Sequence, residues 1–315
     1  MTVTFLVPAF NAESTIVSTL QSILAQDAPD VRYRIIVVDD GSTDSTRDLV
    51  REFAALNPAM SIELLEGEHK GEAAALNRGL ERASGEYVAI VESDVVLARD
   101  WVRLCLEALQ EESVAGAGGC LIGVSEAPWI ARLAAIEVEV KLVDQPRYAA
   151  HISSANALYH FWAFERIGRF DETLYNATLD SDFNARLIRA GFRLRFVREA
   201  QAIHAFKTSL GAYLARFYWY GRFRPQVTQR FLYPADRWVA LLVLLTALAY
   251  ASLVCAWWFP WATVWVWCGS MSFNAVWTLR LARLRCDPAL WLYPLVLLLR
   301  NSAALAGILI SLLRR

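Results

Sequence analysis

The sequence predicts an α/β domain built on a doubly wound, mostly parallel sheet, followed by an α-helical membrane region. Over residues 1–205, short apolar runs alternate with helical patterns punctuated by Gly, Asn and Asp. That is the pattern of strands and helices taking turns around a parallel sheet. Further on, no charged residue lies between Arg237 and Arg280, a stretch long enough for two membrane-spanning helices of about 20 residues each. The whole chain agrees: 315 residues, 56% hydrophobic, with a mean hydropathy of +0.31, are too apolar for one ordinary soluble domain.

The elements follow in order. "VTFLVPAF" reads as a first strand stopped by Pro8, and Asn11 suits the cap of a helix over about residues 13–26. "YRIIVVDDGSTDST" reads as a second strand ending in acids and a Gly turn, with Asp44 or Ser45 starting a helix to about Leu56. "SIELLE" is a short third strand, "GEAAALNRGLERA" a helix ended by Gly85, and "EYVAIVES" a fourth strand. The opening "MTVTFLVPAFNAE" has no basic segment, and Pro8 interrupts its apolar run, so no signal peptide is expected and the domain is placed in the cytosol. Five cysteines without paired spacing indicate neither disulfides nor a zinc cluster.

In open α/β sheets, ligands bind outside the carboxyl ends of the strands. That rule brings three polar clusters into one crevice: Pro8 to Asn11, Asp39-Asp40-Gly41, and Glu92-Ser93-Asp94. Each alone is also ordinary turn chemistry. A dinucleotide-binding fingerprint is excluded, because "VPAFNAES" contains no Gly after the first strand, and a P-loop is missing. The phosphates of a nucleotide then need another partner, and a divalent cation held by carboxylates supplies one.

"VPAFNAE", "VVDDGSTDST", "GEAAALNRGL", "GEYVAIVESDVVLARDW" and "LDSDFNARLIRAGFRLRF" stand in an order and spacing that resemble the inverting family-2 glycosyltransferases of the GT-A fold, over about residues 2–205. The resemblance implies that Asp39 and Asp40 recognise the nucleotide, with Pro8, Ala9 and Asn11 packed against it and Ser93 nearby. It places Glu92 and Asp94 at the family's D-x-D metal motif, Glu92 departing from it by one methylene, and His204 where such enzymes often add a third ligand to Mg2+ or Mn2+. Asp180 falls at the catalytic base, and Leu179 departs from the Glu that usually precedes it. An inverting transfer needs one carboxylate to take the proton of the attacking hydroxyl. Asp182 suits a helix cap better than chemistry. His69 and Glu72 stand where relatives carry Asn and a basic residue. "ISSANALYHFWAFERIGRFDE" resembles the acceptor-side segment, with Trp162 read equally as a stacking or a core residue. Arg222 and Arg224 lie where related synthases carry Q-x-x-R-W; that element is absent, and the pair is assigned to phosphate or to the lipid surface.

In the membrane half, Lys207 to Arg237 carries six basic residues against one acid, Asp236, a stretch suited to an anionic cytoplasmic leaflet. Trp238 to Ala256 and a second run to about Leu279 are the predicted spans, joined by an aromatic turn at Trp257 to Trp261. Pro288 to Leu313 is long enough to cross but holds Arg300-Asn301 at its centre. It reads either as a third span whose Arg300 meets a lipid phosphate or a protein partner, another copy included, or as a re-entrant or interfacial pair of short helices, which the terminal Arg314-Arg315 favour.

The resulting expectation is a catalytic domain over 1–205, a basic connector over 206–236 and a membrane region over 237–315. The predicted activity is inverting transfer of a sugar from a nucleotide sugar, a UDP-sugar first, to a lipid or lipid-linked acceptor. The predicted location is the inner (plasma) membrane, multi-pass with the catalytic domain cytoplasmic, and no nucleic-acid partner is expected. A processive polysaccharide synthase and a non-catalytic nucleotide-sugar-binding subunit are the alternatives.

Overall fold

The computed structural model describes residues 1–174, 178–231, 237–254 and 256–313, without the side chains of residues 224, 228–231, 237–240, 242, 280 and 284. The expectations placed on Arg224, Arg230, Asp236, Arg237 and Arg314-Arg315 therefore lie outside the described side chains. The chain divides into two compact units, Met1–Val124 with Lys141–Ala205, and Ser125–Val140 with Phe206–Arg315.

The first unit is an α/β fold around one sheet. Its strands are β1 (Thr2–Ala9), β2 (Arg32–Asp39), β3 (Ser61–Glu66), β4 (Tyr87–Val91), β5 (Val95–Leu97), β6 (Val114–Gly123), β7 (Tyr148–Ala149), β8 (Asn156–His160) and β9 (Arg193–His204). They lie in the order β3-β2-β1-β4-β8-β6-β9-β5, with β7 paired to β9. The first four are mutually parallel, whereas β8 runs antiparallel to both β4 and β6. "IIVV" in β2 and "YVAIV" in β4 are buried throughout, as continuous apolar runs must be when helices cover both faces of a sheet. Leu76 and Leu80 of the helix Glu72–Arg82 pack in one core with Leu6, Ile36, Val38, Val88 and Ile90.

Two local expectations are corrected. β1 runs through Pro8 to Ala9, because β4 pairs with β1 only over Val3 to Leu6, and a missing N–H is tolerated where a ladder has ended on one side. The first helix is Ile16–Leu24, shorter than predicted, and Asn11 does not cap it. Asn11 lies in the left-handed region at φ 51 and accepts a hydrogen bond from Thr43 N–H at 2.8 Å, lacing two loops together instead.

The second unit is helical, with helices Leu210–Phe231, Arg237–Val254, Pro260–Leu284 and Tyr293–Leu313, and most of the helix Trp129–Val143. Leu210–Phe231 and Tyr293–Leu313 cross closely: a Cβ on Gly221 would stand 2.0 Å from Ala304 O, and one on Gly307 2.1 Å from Tyr218 O. Small residues at such a crossing let two backbones approach, a common device between membrane helices. The last helix is unbroken at Arg300-Asn301, so the pair of short re-entrant helices does not form. Arg300 does not need a lipid phosphate or another chain for its charge. It is buried, pairs with Glu137, and lies over the Phe217 ring at 5.0 Å, while Tyr213 and Tyr293 also donate to Glu137. Among the described residues, one segment, Pro288–Leu313, is long and apolar enough to cross a membrane; Val243–Val254 is a shorter apolar stretch, the start of its helix lying among side chains not described. Multi-pass topology is thus not supported by those residues. Pro260–Leu284 is helical, but Trp, Thr, Ser and Asn dilute its apolarity.

Candidate active site

Three acidic or imidazole side chains meet at the carboxyl end of β4. The chain leaves β4 at Glu92, turns through Ser93 and Asp94, and re-enters the sheet as β5, the turn closed by Val95 N–H to Glu92 O at 3.1 Å. β5 pairs antiparallel with β9, and its register sets Val95 opposite His204. That register carries an imidazole from more than a hundred residues away to the acidic turn. His204 Nε2 lies 3.3 Å from Asp94 Oδ1 and 3.6 Å from Glu92 Oε2. One ligand atom from each of Glu92, Asp94 and His204 falls within 4.8 Å of the others. His204 is buried, and the two acids are partly covered. Two carboxylates and an imidazole converging on one point form a donor set suited to a divalent cation. Oxygen donors accept Mg2+ or Mn2+, and the imidazole leans toward Mn2+.

Asp180 stands in the first turn of the helix Leu179–Arg189. Its Oδ1 accepts from Ser181 N–H at 2.7 Å, and its Oδ2 lies 3.4 Å from His151 Nε2. Thr178, just before, has φ 66, a strained conformation for a β-branched residue and one that aims the start of this helix. One loop joins the two clusters. His151 at its start faces Asp180, and Ala155 near its end accepts from Glu92 N–H at 3.2 Å. Asp180 and the acidic turn therefore border the same segment.

The acidic pair of the second loop is spent inside the protein. Asp39, fully buried, accepts from Gly41 and Ser42 N–H and pairs with Arg47 Nε at 2.6 Å. Asp40 accepts from Lys70 N–H at 2.8 Å and Gly71 N–H at 2.9 Å, and His69 Nδ1 lies 2.8 Å from it. Gly41 is required there: at φ +83, a Cβ would come within 2.7 Å of His69 N. Phe10, half exposed, stacks on the His69 ring with centroids 4.1 Å apart. Asp44 links the two loops, accepting from Glu13 and Thr46 N–H and from the Thr46 hydroxyl. Burial alone would raise its carboxyl, but these hydrogen bonds outweigh it and hold Asp44 below the usual range. Pro8 and Ala9 close β1 beside these loops, and the Ser93 carbonyl accepts from the Thr19 hydroxyl at 3.0 Å.

The remaining predicted residues are placed as follows. Asp182 pairs with Arg186 at 2.8 Å, and Arg186 in turn holds the carbonyls of Ile167 and Arg169; the helix has no side-chain cap. Trp162 stacks on His160 and packs against Phe192, partly buried against the edge of the core. Arg222 belongs to the second unit, over Trp219 and Phe223. Sequence reasoning missed His151 and Asn184. Asn184 was legible as one helical turn beyond Asp180; His151, from a loop more than twenty-five residues upstream, gave no spacing signal.

The family model "Glycosyl transferase family 2" matches residues 4–168, just over half of the chain. The chain belongs to glycosyl transferase family 2. Among family relatives, TuaG of Bacillus subtilis (strain 168), named for teichuronic acid biosynthesis, is 38% identical over 113 residues, 36% of this chain and 44% of its own. A Methanococcus voltae enzyme named dolichyl N-acetyl-alpha-D-glucosaminyl phosphate 3-beta-D-2,3-diacetamido-2,3-dideoxy-beta-D-glucuronosyltransferase is 26% identical over 203 residues, covering 61% and 63% of the two chains. The chain thus spans between two fifths and two thirds of the length of these relatives. A solved mannosyltransferase from Pyrobaculum calidifontis, in complex with GDP-Man and Mn2+, aligns with 99% of this chain and 87% of its own at a TM-score of 0.65 and 20% identity. GalNAc-T7 with UDP, GalNAc and Mn2+ aligns at a TM-score of 0.55 and 13% identity over 73% of this chain and 51% of its own. These likenesses confirm the GT-A-like α/β fold.

Proposed function

We propose that this chain transfers a sugar, with inversion, from a nucleotide diphosphate sugar to a lipid or lipid-linked acceptor at a membrane surface. The observation that carries the reading is the joint placement of Glu92, Asp94 and His204 with Asp180 along one loop of a family-2 domain. Glu92, Asp94 and His204 hold a divalent cation, Mn2+ or Mg2+. When bound, the cation supplies positive charge to the diphosphate. Asp180 receives the proton of the acceptor hydroxyl as its oxygen bonds to the anomeric carbon and the bond to the diphosphate breaks on the opposite face. Asp39 and Asp40 act on the nucleotide by holding the 39–42 and 68–71 loops in place, and Phe10 offers an aromatic face beside them. UDP-sugars are the first donors on this reading, and Pro8, Ala9, Asn11 and Ser93 border the nucleotide.

The membrane reading draws on the apolar Pro288–Leu313 segment and on exposed Trp257, Trp258, Trp261 and Trp265, residues that favour the headgroup region. Acceptors embedded in lipid suit such a chain, as do the lipid-linked substrates that relatives' names give. The test is a screen of UDP- and GDP-sugars with the full chain in detergent, with Mn2+ or with EDTA. The expected result is nucleoside diphosphate release from one donor class that EDTA abolishes. Release from none of them with any divalent cation would overturn the reading.

A further inference from the structure

We infer that His151 is a positioning residue for Asp180, its ring N–H holding the carboxylate in the orientation that receives the acceptor's proton. The inference rests on the proposed role of Asp180 as base. Its geometry is fixed from the core outward. Asn184 is fully buried, and its Nδ2 donates to Ile152 O at 2.7 Å. A carbonyl only accepts, so this bond fixes which end of the amide is nitrogen. The other end agrees, because Oδ1 accepts from the Tyr159 hydroxyl at 3.1 Å. Burial, with Asp180 as a lesser contribution, pushes the Tyr159 phenol well above its usual range, and it remains a donor.

The same Asn184 Nδ2 faces His151 Nδ1 at 3.1 Å. Nδ1 must then accept, and the proton of the neutral ring lies on Nε2. That nitrogen is the one 3.4 Å from Asp180 Oδ2. The other carboxylate oxygen, Oδ1, accepts from Ser181 N–H, so Nε2 and the backbone N–H face different oxygens of Asp180. The loop is pinned as well, with Gln145 Nε2 donating to His151 O at 2.8 Å. A relay of Tyr159, Asn184 and His151 thus runs from β8 and the Asp180 helix to the carboxylate. The arrangement is that of a base oriented by a third group. His151 itself is about one-third exposed, at 36%, so the core does not depend on its ring.

The experiment measures nucleoside diphosphate release by the full chain at saturating Mn2+, with the nucleotide sugar that supports turnover in the screen. Asp180→Asn, His151→Phe and His151→Gln are compared with the parent. The Gln amide nitrogen reaches the place of Nε2 and restores a donor to Asp180. His151→Phe is expected to lower kcat about tenfold to a hundredfold, within the range for general-base catalysis, with donor KM and Mn2+ affinity unchanged. His151→Gln is expected to recover most of that loss. Unchanged kcat in His151→Phe, or a Gln variant no better than Phe, overturns the positioning role while loss of turnover in Asp180→Asn keeps the base. Full turnover in Asp180→Asn overturns the base reading, and the inference falls with it. A fall in melting temperature shared by the Phe and Gln variants marks a structural role and also overturns it.

Discussion

Asp39 has no surface to offer a nucleotide, since its carboxylate is buried and already accepts from Gly41, Ser42 and Arg47. Asp39→Asn keeps the shape but replaces one acceptor oxygen with a donor facing donors. A loss of about 1–3 kcal/mol of stability is expected, read as a lower melting temperature, together with weaker nucleotide binding. Wild-type stability with selective loss of binding would instead mark Asp39 as a direct contact. A second prediction at this scale concerns Glu111, whose carboxyl is held at about 2 by hydrogen bonds from Arg147, Arg195 and Tyr148. Its folded value lies below its unfolded one. Its contribution to stability is therefore complete above the ordinary Glu range and is lost as pH falls toward 2. Glu111→Gln should flatten the acid limb of a melting-temperature curve between about pH 4.5 and 2, its loss of melting temperature being largest at neutral pH and shrinking toward pH 2. At the residue scale the sequence displayed chemistry more readily than direction. It named Asp94, His204 and Asp180, but whether Asp39 points at a ligand or into its own loop depends on Arg47 and on backbone N–H groups, whose placement no motif encodes.

At the scale of elements, the pairing of the helices Trp129–Val143 and Tyr293–Leu313 through Glu137 and Arg300 is the least readable feature. The central Arg300 was visible as a cost, but its partner lies 163 residues away in sequence. Helical periodicity cannot announce a tertiary ion pair. Removing one member of such a buried pair leaves an uncompensated charge, at about 3–5 kcal/mol. Arg300→Met alone should lower thermal stability sharply, and Arg300→Met with Glu137→Gln should recover much of it. Equal losses in the single and double variants would show that the pair is not coupled. The strands were far more legible. "IIVVDD" and "YVAIVESD" are apolar runs ending in acids, so the run marked the strand and the acids marked its carboxyl end. The shift to an antiparallel β8 after β4 was not legible, because pairing direction depends on the path of the intervening chain.

For the whole molecule, the alternation over residues 1–205 made the α/β fold readable, and the doubly wound sheet positions the acids as that fold requires. The composition of residues 206–315 made the apolar unit readable, but not its internal charge pairing, nor that residues 125–140 belong to it. If exposed Trp257, Trp258, Trp261 and Trp265 sit at a lipid headgroup layer, replacing all four with Ser should weaken recovery of the chain in liposome flotation without changing its melting temperature. Unaltered flotation would remove these residues from the membrane contact.

The central claim is that Glu92, Asp94 and His204 form the cation site of a family-2 glycosyltransferase, and Mn2+ binding to the purified full chain, followed by electron paramagnetic resonance in the presence of UDP, tests it most directly. The account predicts saturable binding of Mn2+ by the parent and its loss in Asp94→Ala and in His204→Ala, with Glu92→Ala weakened at least tenfold. Equal Mn2+ affinity in all four proteins would contradict it.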